Sequence, residues 1–185
     1  MTGTGMAKRF AVIDTETNWE NEVMSIGIVI AEDTRFEPLD SKYIIFDEAS
    51  GIGGMYSSAL YLKDADVLSK SKAISAVKAF LKDHGVKTLF AYNASFDCRC
   101  LPALCNYDWR DILKIAAYRQ HNPAIPKNAA CFGTGRLKSG YRVEDIMCML
   151  GERNYCELHN ALTDAIDELR MMKLLDRTID DYPSL

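Results

Sequence analysis

Residues Arg9 to Thr17 read R-F-A-V-I-D-T-E-T. Arg9 to Asp14 is a short apolar run of the kind that forms a buried strand. Asp14, Thr15 and Glu16 close it. Side chains alternate along a strand, so Asp14 and Glu16 share one face. Two carboxylates on one face repel each other unless a cation sits between them, and oxygen ligands of this kind suit magnesium or manganese. A D-x-E pair alone is common, and a strand running into a polar turn also produces one.

Val23 to Ala31 and Lys42 to Phe46 read as two further strands, and Gly51 to Gly54 breaks the pattern. Ser71 is placed to cap a helix with the stripe Ile74, Val77 and Phe80 or Leu81, ended by Gly85. Thr88 to Tyr92 reads as a fourth strand and Ser95 to Leu104 as a helix. A short strand near Asp108 to Asp111 precedes a helix reaching Arg119, and Tyr141 to Leu150 reads as another helix. The last helix starts near Asn160, and its stripe Leu162, Ala165, Ile166, Leu169 and Met172 follows helical spacing. This order predicts an α/β fold, a mixed central sheet of about five strands flanked by helices.

Two more polar constellations sit at element boundaries. Asn93 to Asp97 (N-A-S-F-D) follows the fourth strand and places a carboxylate at a strand-to-helix turn, where open sheets gather ligands. The same residues also make an ordinary helix start, with Asn93 or Ser95 as cap and Asp97 favouring the helix dipole. His159 to Asp164 (H-N-A-L-T-D) opens the last helix, with Asp164 off the apolar stripe on a face shared with Ala161 and Glu168. His159 reads as a surface histidine or a metal ligand. His84, before Gly85 at a helix end, reads as structural, and His121 stays open.

Together, D-x-E on the first strand, N-x3-D after the fourth and H-x4-D at a late helix resemble the three motifs of the DEDDh 3′-to-5′ exonucleases, a family that includes proofreading subunits and oligoribonucleases. The resemblance runs over about residues 9 to 175, through A-V-I-D-T-E-T, A-Y-N-A-S-F-D and H-N-A-L-T-D-A. Asn18 and Trp19 follow the first motif where many relatives have Thr-Gly, and Tyr92 stands where a histidine is common. The resemblance implies an RNase H-like fold in which Asp14, Glu16, Asp97 and Asp164 hold two divalent cations, Mg2+ or Mn2+. His159 is then the general base, and the substrate is the 3′ end of single-stranded DNA or RNA. It also implies that the Thr15 backbone approaches the terminal nucleotide and that Asn93 holds the turn presenting Asp97. Trp19 has two readings, a stack on a terminal base or a place in the core or on the surface. A polymerase or another nucleic-acid-processing subunit is a further partner consistent with this family. A catalytically silent nucleic-acid-binding or interaction module on the same fold is the alternative.

Composition narrows the rest. The chain has 185 residues, 48% hydrophobic and 26% charged, which predicts one exonuclease domain over residues 9–185 behind a flexible tail at residues 1–8. No run approaches the ~20 apolar residues of a membrane helix, and Met1 to Arg9 has no hydrophobic signal core, so a cytoplasmic protein without a membrane partner is expected. The net charge of −4 argues against coating duplex DNA by bulk charge. Yet residues 112–143 hold six basic side chains (Lys114, Arg119, Lys127, Arg136, Lys138, Arg142) and no acidic one. Arg136 and Lys138 are therefore candidates for guiding the phosphate backbone, against the plainer reading of a solvated loop. The six cysteines read as small buried hydrophobes, since Cys98-x-Cys100-x4-Cys105 lacks the paired spacing of a zinc ribbon or finger.

Overall fold

The computed structural model describes residues 7–185. Its centre is a six-stranded sheet in the order β4-β3-β2-β1-β5-β6, with β1 (Arg9–Thr17), β2 (Val23–Glu32), β3 (Asp40–Phe46), β4 (Asp66–Leu68), β5 (Thr88–Ala91) and β6 (Asp108–Asp111). The β1–β2 and β2–β3 pairs are antiparallel, and the β1–β5, β5–β6 and β3–β4 pairs are parallel. Helices α1 (Asp47–Ser50), α2 (Lys70–Asp83), α3 (Ala94–Cys100), α4 (Leu113–Ala116), α5 (Val143–Met149) and α6 (Ala161–Leu175) complete the mixed α/β architecture.

Several elements differ from the sequence expectation, and the helix expected to be capped by Ser71 is capped at Ser69. The sheet has six strands, because Asp66–Leu68 joins its edge beside Ile44–Phe46; three residues are too few to show a period. The first strand continues through the acidic pair to Thr17. The helix expected over Ser95–Leu104 stops at Cys100, and Pro102 opens a separate 3-10 turn. The helix after β6 ends at Ala116, because Leu137 N–H then bonds Ala117 O and Tyr118 bridges Arg136.

Residues 1–6 of the expected tail lie outside the described residues. Lys8 is anchored, its N–H donating to Asp33 Oδ1 at 3.0 Å and its Nζ to Asp180 Oδ2 at 3.0 Å. The cysteines are half-buried or exposed rather than core residues, because they fall on outer helix faces and in turns. No helix among the described residues is long and apolar enough to cross a membrane.

Each face of the sheet carries its own core. Phe10, Val12, Val29 and Phe90 pack with Ile146 and Met147 of α5 and with Ala165, Leu169 and Met172 of α6. Ala11, Ile13, Ile28 and Leu89 pack on the other side with Ala73, Val77 and Leu81 of α2 and with Trp109. Fully burying each large apolar side chain contributes about 1.5–3 kcal/mol. Along β1 the α6-facing row is therefore Phe10, Val12, Asp14, Glu16, apolar first and acidic at its end.

One contact sets the height of α6 over that acidic end. Gly27 of β2 pairs with Asp14 of β1, and a Cβ on Gly27 would lie 2.1 Å from Ala161 O and 2.3 Å from Leu162 N. Only glycine allows the first turn of α6 to press backbone-on-backbone against the sheet. Met24, Tyr43, Ile45 and Leu60 pack around Ala161 at the same place. Because the obstacle is backbone, Gly27→Ala is expected to lower the unfolding free energy by about 2–3 kcal/mol, read by urea denaturation. An unchanged midpoint would show that α6 does not depend on this approach.

Candidate active site

Three elements bring the four sequence-selected acids to one point. Asp14 and Glu16 come from β1, Asp97 from the first turn of α3 and Asp164 from the first turn of α6. Glu16, Asp97 and Asp164 are 8%, 3% and 3% exposed, too little for water to screen their charges. Among the described residues none of the four forms an ion pair with a lysine or arginine. Asp97 Oδ1 accepts a hydrogen bond from Thr15 Oγ1 at 2.7 Å. Asp14 Oδ2 and Asp164 Oδ1 are buried with no hydrogen-bond partner, an expensive arrangement for a carboxylate.

The electrostatics follow from this crowding. Burial first, then the charges of Glu168, Asp97, Asp164 and Glu16, hold the Asp14 carboxyl far above the usual range. Burial and the charge of Asp164 push Glu16 up to about 8. Burial and the charge of Glu157 push Asp164 up to about 8. Burial takes Asp97 to about 7 although the Thr15 hydroxyl works the other way. A ring nitrogen of His159 and carboxylate oxygens of Glu16 and Asp164 lie within 4.8 Å of one another. Orphaned buried oxygens with no basic partner fit a hard divalent cation, which supplies the missing positive charge and accepts oxygen ligands.

The other sequence-selected residues are placed as follows. Asn93 forms the β5–α3 turn with a left-handed φ of 65°; its N–H donates to Asp111 Oδ1 at 3.1 Å and its C=O accepts the Phe96 N–H at 2.8 Å. Its side chain makes no cap bond to the helix. Trp19 is 67% exposed, so a core position is excluded. Asn18, beside it, is buried and closes the β1–β2 turn, its Oδ1 accepting the Glu20 and Glu22 N–H groups at 2.9 Å. The Arg136 guanidinium lies over the Tyr141 ring at 4.7 Å, and the exposed Lys138 lies 5.6 Å from the Phe132 ring centre. Among the described residues neither cation forms an ion pair with the four acids.

Three participants escaped the sequence reading. Glu168, one helical turn beyond Asp164, is 2% exposed, accepts the Tyr92 N–H at 3.1 Å, and contributes the largest single charge effect on Asp14. Its four-residue spacing from Asp164 was the available signal. Glu157 raises both Glu16 and Asp164. Tyr56 stacks on His159. Asn160, expected as the α6 cap, is fully buried and accepts the Thr163 N–H at 3.3 Å.

Comparison with solved structures defines the class of fold. Neither a protein-family model nor a curated protein matches the chain. A full-length 3′-exonuclease superposes with a TM-score of 0.67 at 15% identity, covering 98% of this chain and 92% of the other. The nuclease domain of 3′hExo, a DEDDh family member bound to rAMP, superposes with a TM-score of 0.63 at 14% identity, covering 98% of each chain. E. coli Exonuclease I in complex with a 5cy-dT13 oligonucleotide gives 0.61 at 13% identity over 91% of this chain and 40% of its own. The fold is that of the DEDDh-type 3′-5′ exonucleases, an RNase H-like sheet flanked by helices.

The buried acids dictate a pH dependence. Carboxyls whose pKa is raised by folding hold protons that the unfolded chain has already released, so stability falls as pH rises through that interval. In chelator-treated protein the melting temperature is expected to drop between about pH 5 and pH 8. Manganese added at the upper pH is expected to restore it. A flat or rising profile without metal would contradict the raised pKa values.

Proposed function

We propose that this chain is a metal-dependent 3′-to-5′ exonuclease that hydrolyses the terminal phosphodiester of single-stranded DNA or RNA and releases nucleoside 5′-monophosphates. The observation that carries this reading is the convergence of the half-buried Asp14 with the buried Glu16, Asp97 and Asp164, none with a basic partner among the described residues, beside His159. The fold shared with the DEDDh exonucleases supports it.

On this reading the four carboxylates would hold two divalent cations, Mg2+ or Mn2+. When bound, such ions polarise the phosphoryl oxygens and stabilise the attacking and leaving oxygens of an in-line displacement. The Thr15 hydroxyl donates to Asp97 Oδ1 and so fixes the orientation of a carboxylate that would hold a cation. His159 takes a proton from the attacking water, its imidazole nitrogen lying beside Glu16 and Asp164. His159 lies on the segment before α6, outside helix and strand, while the acids sit on rigid elements. The base and its targets are therefore held by different parts of the fold.

Recognition of the strand is assigned to residues around this centre. The exposed Trp19 ring is free to stack on a base, a contact worth ~1–3 kcal/mol. The Thr15 backbone and the Asn93 turn border the terminal nucleotide. Arg136 and Lys138, in the segment without acidic residues, attract the phosphate backbone.

The test is a time course on 5′-labelled single-stranded DNA and RNA with manganese, magnesium or excess EDTA. The expected result is a metal-dependent ladder shortening from the 3′ end. Asp14→Ala is expected to abolish it, and His159→Ala to slow it by about 10²–10⁴-fold. Binding without cleavage in any metal would replace this reading with a silent nucleic-acid-binding module.

A further inference from the structure

His159 is held by something other than its own secondary structure. It belongs to the irregular segment between α5 and α6. Its φ of 54° lies in the left-handed region, which non-glycine residues adopt uncommonly. Such a conformation persists where surrounding contacts over-determine it. Here residues 56–60, together with Tyr43, contact His159 and the Asn160 that follows it.

The Tyr56 ring stacks on the imidazole with centroids 3.9 Å apart and planes 16° from parallel. Three residues later, Ala59 O accepts a hydrogen bond from Asn160 Nδ2 at 2.8 Å. Asn160 Nδ2 also donates to the Tyr43 hydroxyl at 3.0 Å, and that hydroxyl donates to Leu60 O at 2.9 Å. The stretch thus grips two consecutive residues, His159 through its ring and Asn160 through its amide. A stack occupies the π face of imidazole and leaves the edge, with both nitrogens, pointing sideways. That edge is the part lying within 4.8 Å of Glu16 and Asp164 oxygens.

We propose that Tyr56 is a positioning residue for the proposed hydrolysis: its ring clamps His159 so that an imidazole nitrogen faces the carboxylate cluster where water attacks. The role rests on the exonuclease reading above. Removing the ring leaves His159 chemically intact but free to leave the cluster, so the loss falls on the rate of the step rather than on strand binding. Only an aromatic side chain performs the role; the hydroxyl is dispensable.

The experiment measures kcat and KM of metal-loaded protein on a single-stranded oligonucleotide for Tyr56→Leu, Tyr56→Ala and Tyr56→Phe, each alone and with His159→Ala. The two variants without a ring are expected to lose about tenfold in kcat, roughly 1.4 kcal/mol of barrier, with KM little changed. Tyr56→Phe is expected to recover most of the rate. With His159→Ala already present, removing the ring is expected to cost nothing more, because the two residues act as one unit. A rise in KM instead, an equal loss in both backgrounds, or no loss at all would overturn the role of Tyr56. A wild-type protein that fails to cleave would retire the exonuclease reading itself, whereas a cleaving wild type with unaffected Tyr56 variants would retire the clamp alone.

Discussion

Everything at the acidic centre depends on how closely the first turn of α6 approaches the sheet. Gly27 lies opposite Asp14, and a single added carbon there would meet the Ala161 carbonyl. Because that carbon is missing, the backbone that precedes Asp164 rests directly on β2. The carboxylate of Asp164 then reaches the α6-facing row of β1 at the point where it turns from Phe10 and Val12 to Asp14 and Glu16. A strand, a glycine and a helix start thereby convert three ordinary local patterns into one charged cluster. The tie of Asn160 to Ala59 and Tyr43 secures the same helix start from the other side.

The cluster opposes stability. Five crowded carboxyls, four buried and Asp14 half-buried, repel one another without a lysine or arginine partner among the described residues, and desolvation raises the pKa of each. The apolar remainder of the same elements offsets this. Phe10 and Val12 on β1 and Leu169 and Met172 on α6 are nearly inaccessible, each contributing about 1.5–3 kcal/mol. The centre is thus a strained polar end attached to a well-packed apolar body, which is how a site for a strongly charged ligand persists without collapsing. Tyr92 links the two regions, since its N–H satisfies Glu168 while its hydroxyl donates to Tyr141 O.

The parts legible in the sequence were those with short-range signatures. The D-x-E pair, N-x3-D and H-x4-D are each contained within a few residues, and their order matched a family whose fold the structure shares. Five strands and the start of α6 followed from period and capping. What stayed hidden depends on distance in the chain. Strand β4 is three residues long and exists only by pairing with β3. Tyr56 and His159 are about a hundred residues apart, and no local pattern announces their stack. Gly27 looks like any glycine in a strand until the helix above it is known. Trp19 shows the same limit in reverse: a tryptophan beside a strand is equally compatible with core and surface, and only the fold places it in solvent.

Calorimetric titration of chelator-treated protein with manganese, near neutral pH, in buffers of differing protonation enthalpy, tests whether the crowded acids form a cation site. If the buried acids form a cation site, binding ionises carboxyls that hold protons in the metal-free state, so protons are released into the buffer. The expected result is saturable binding with net proton release, and a weaker isotherm with fewer protons released for Asp164→Asn. Absence of binding, or binding with no proton exchange, would contradict it.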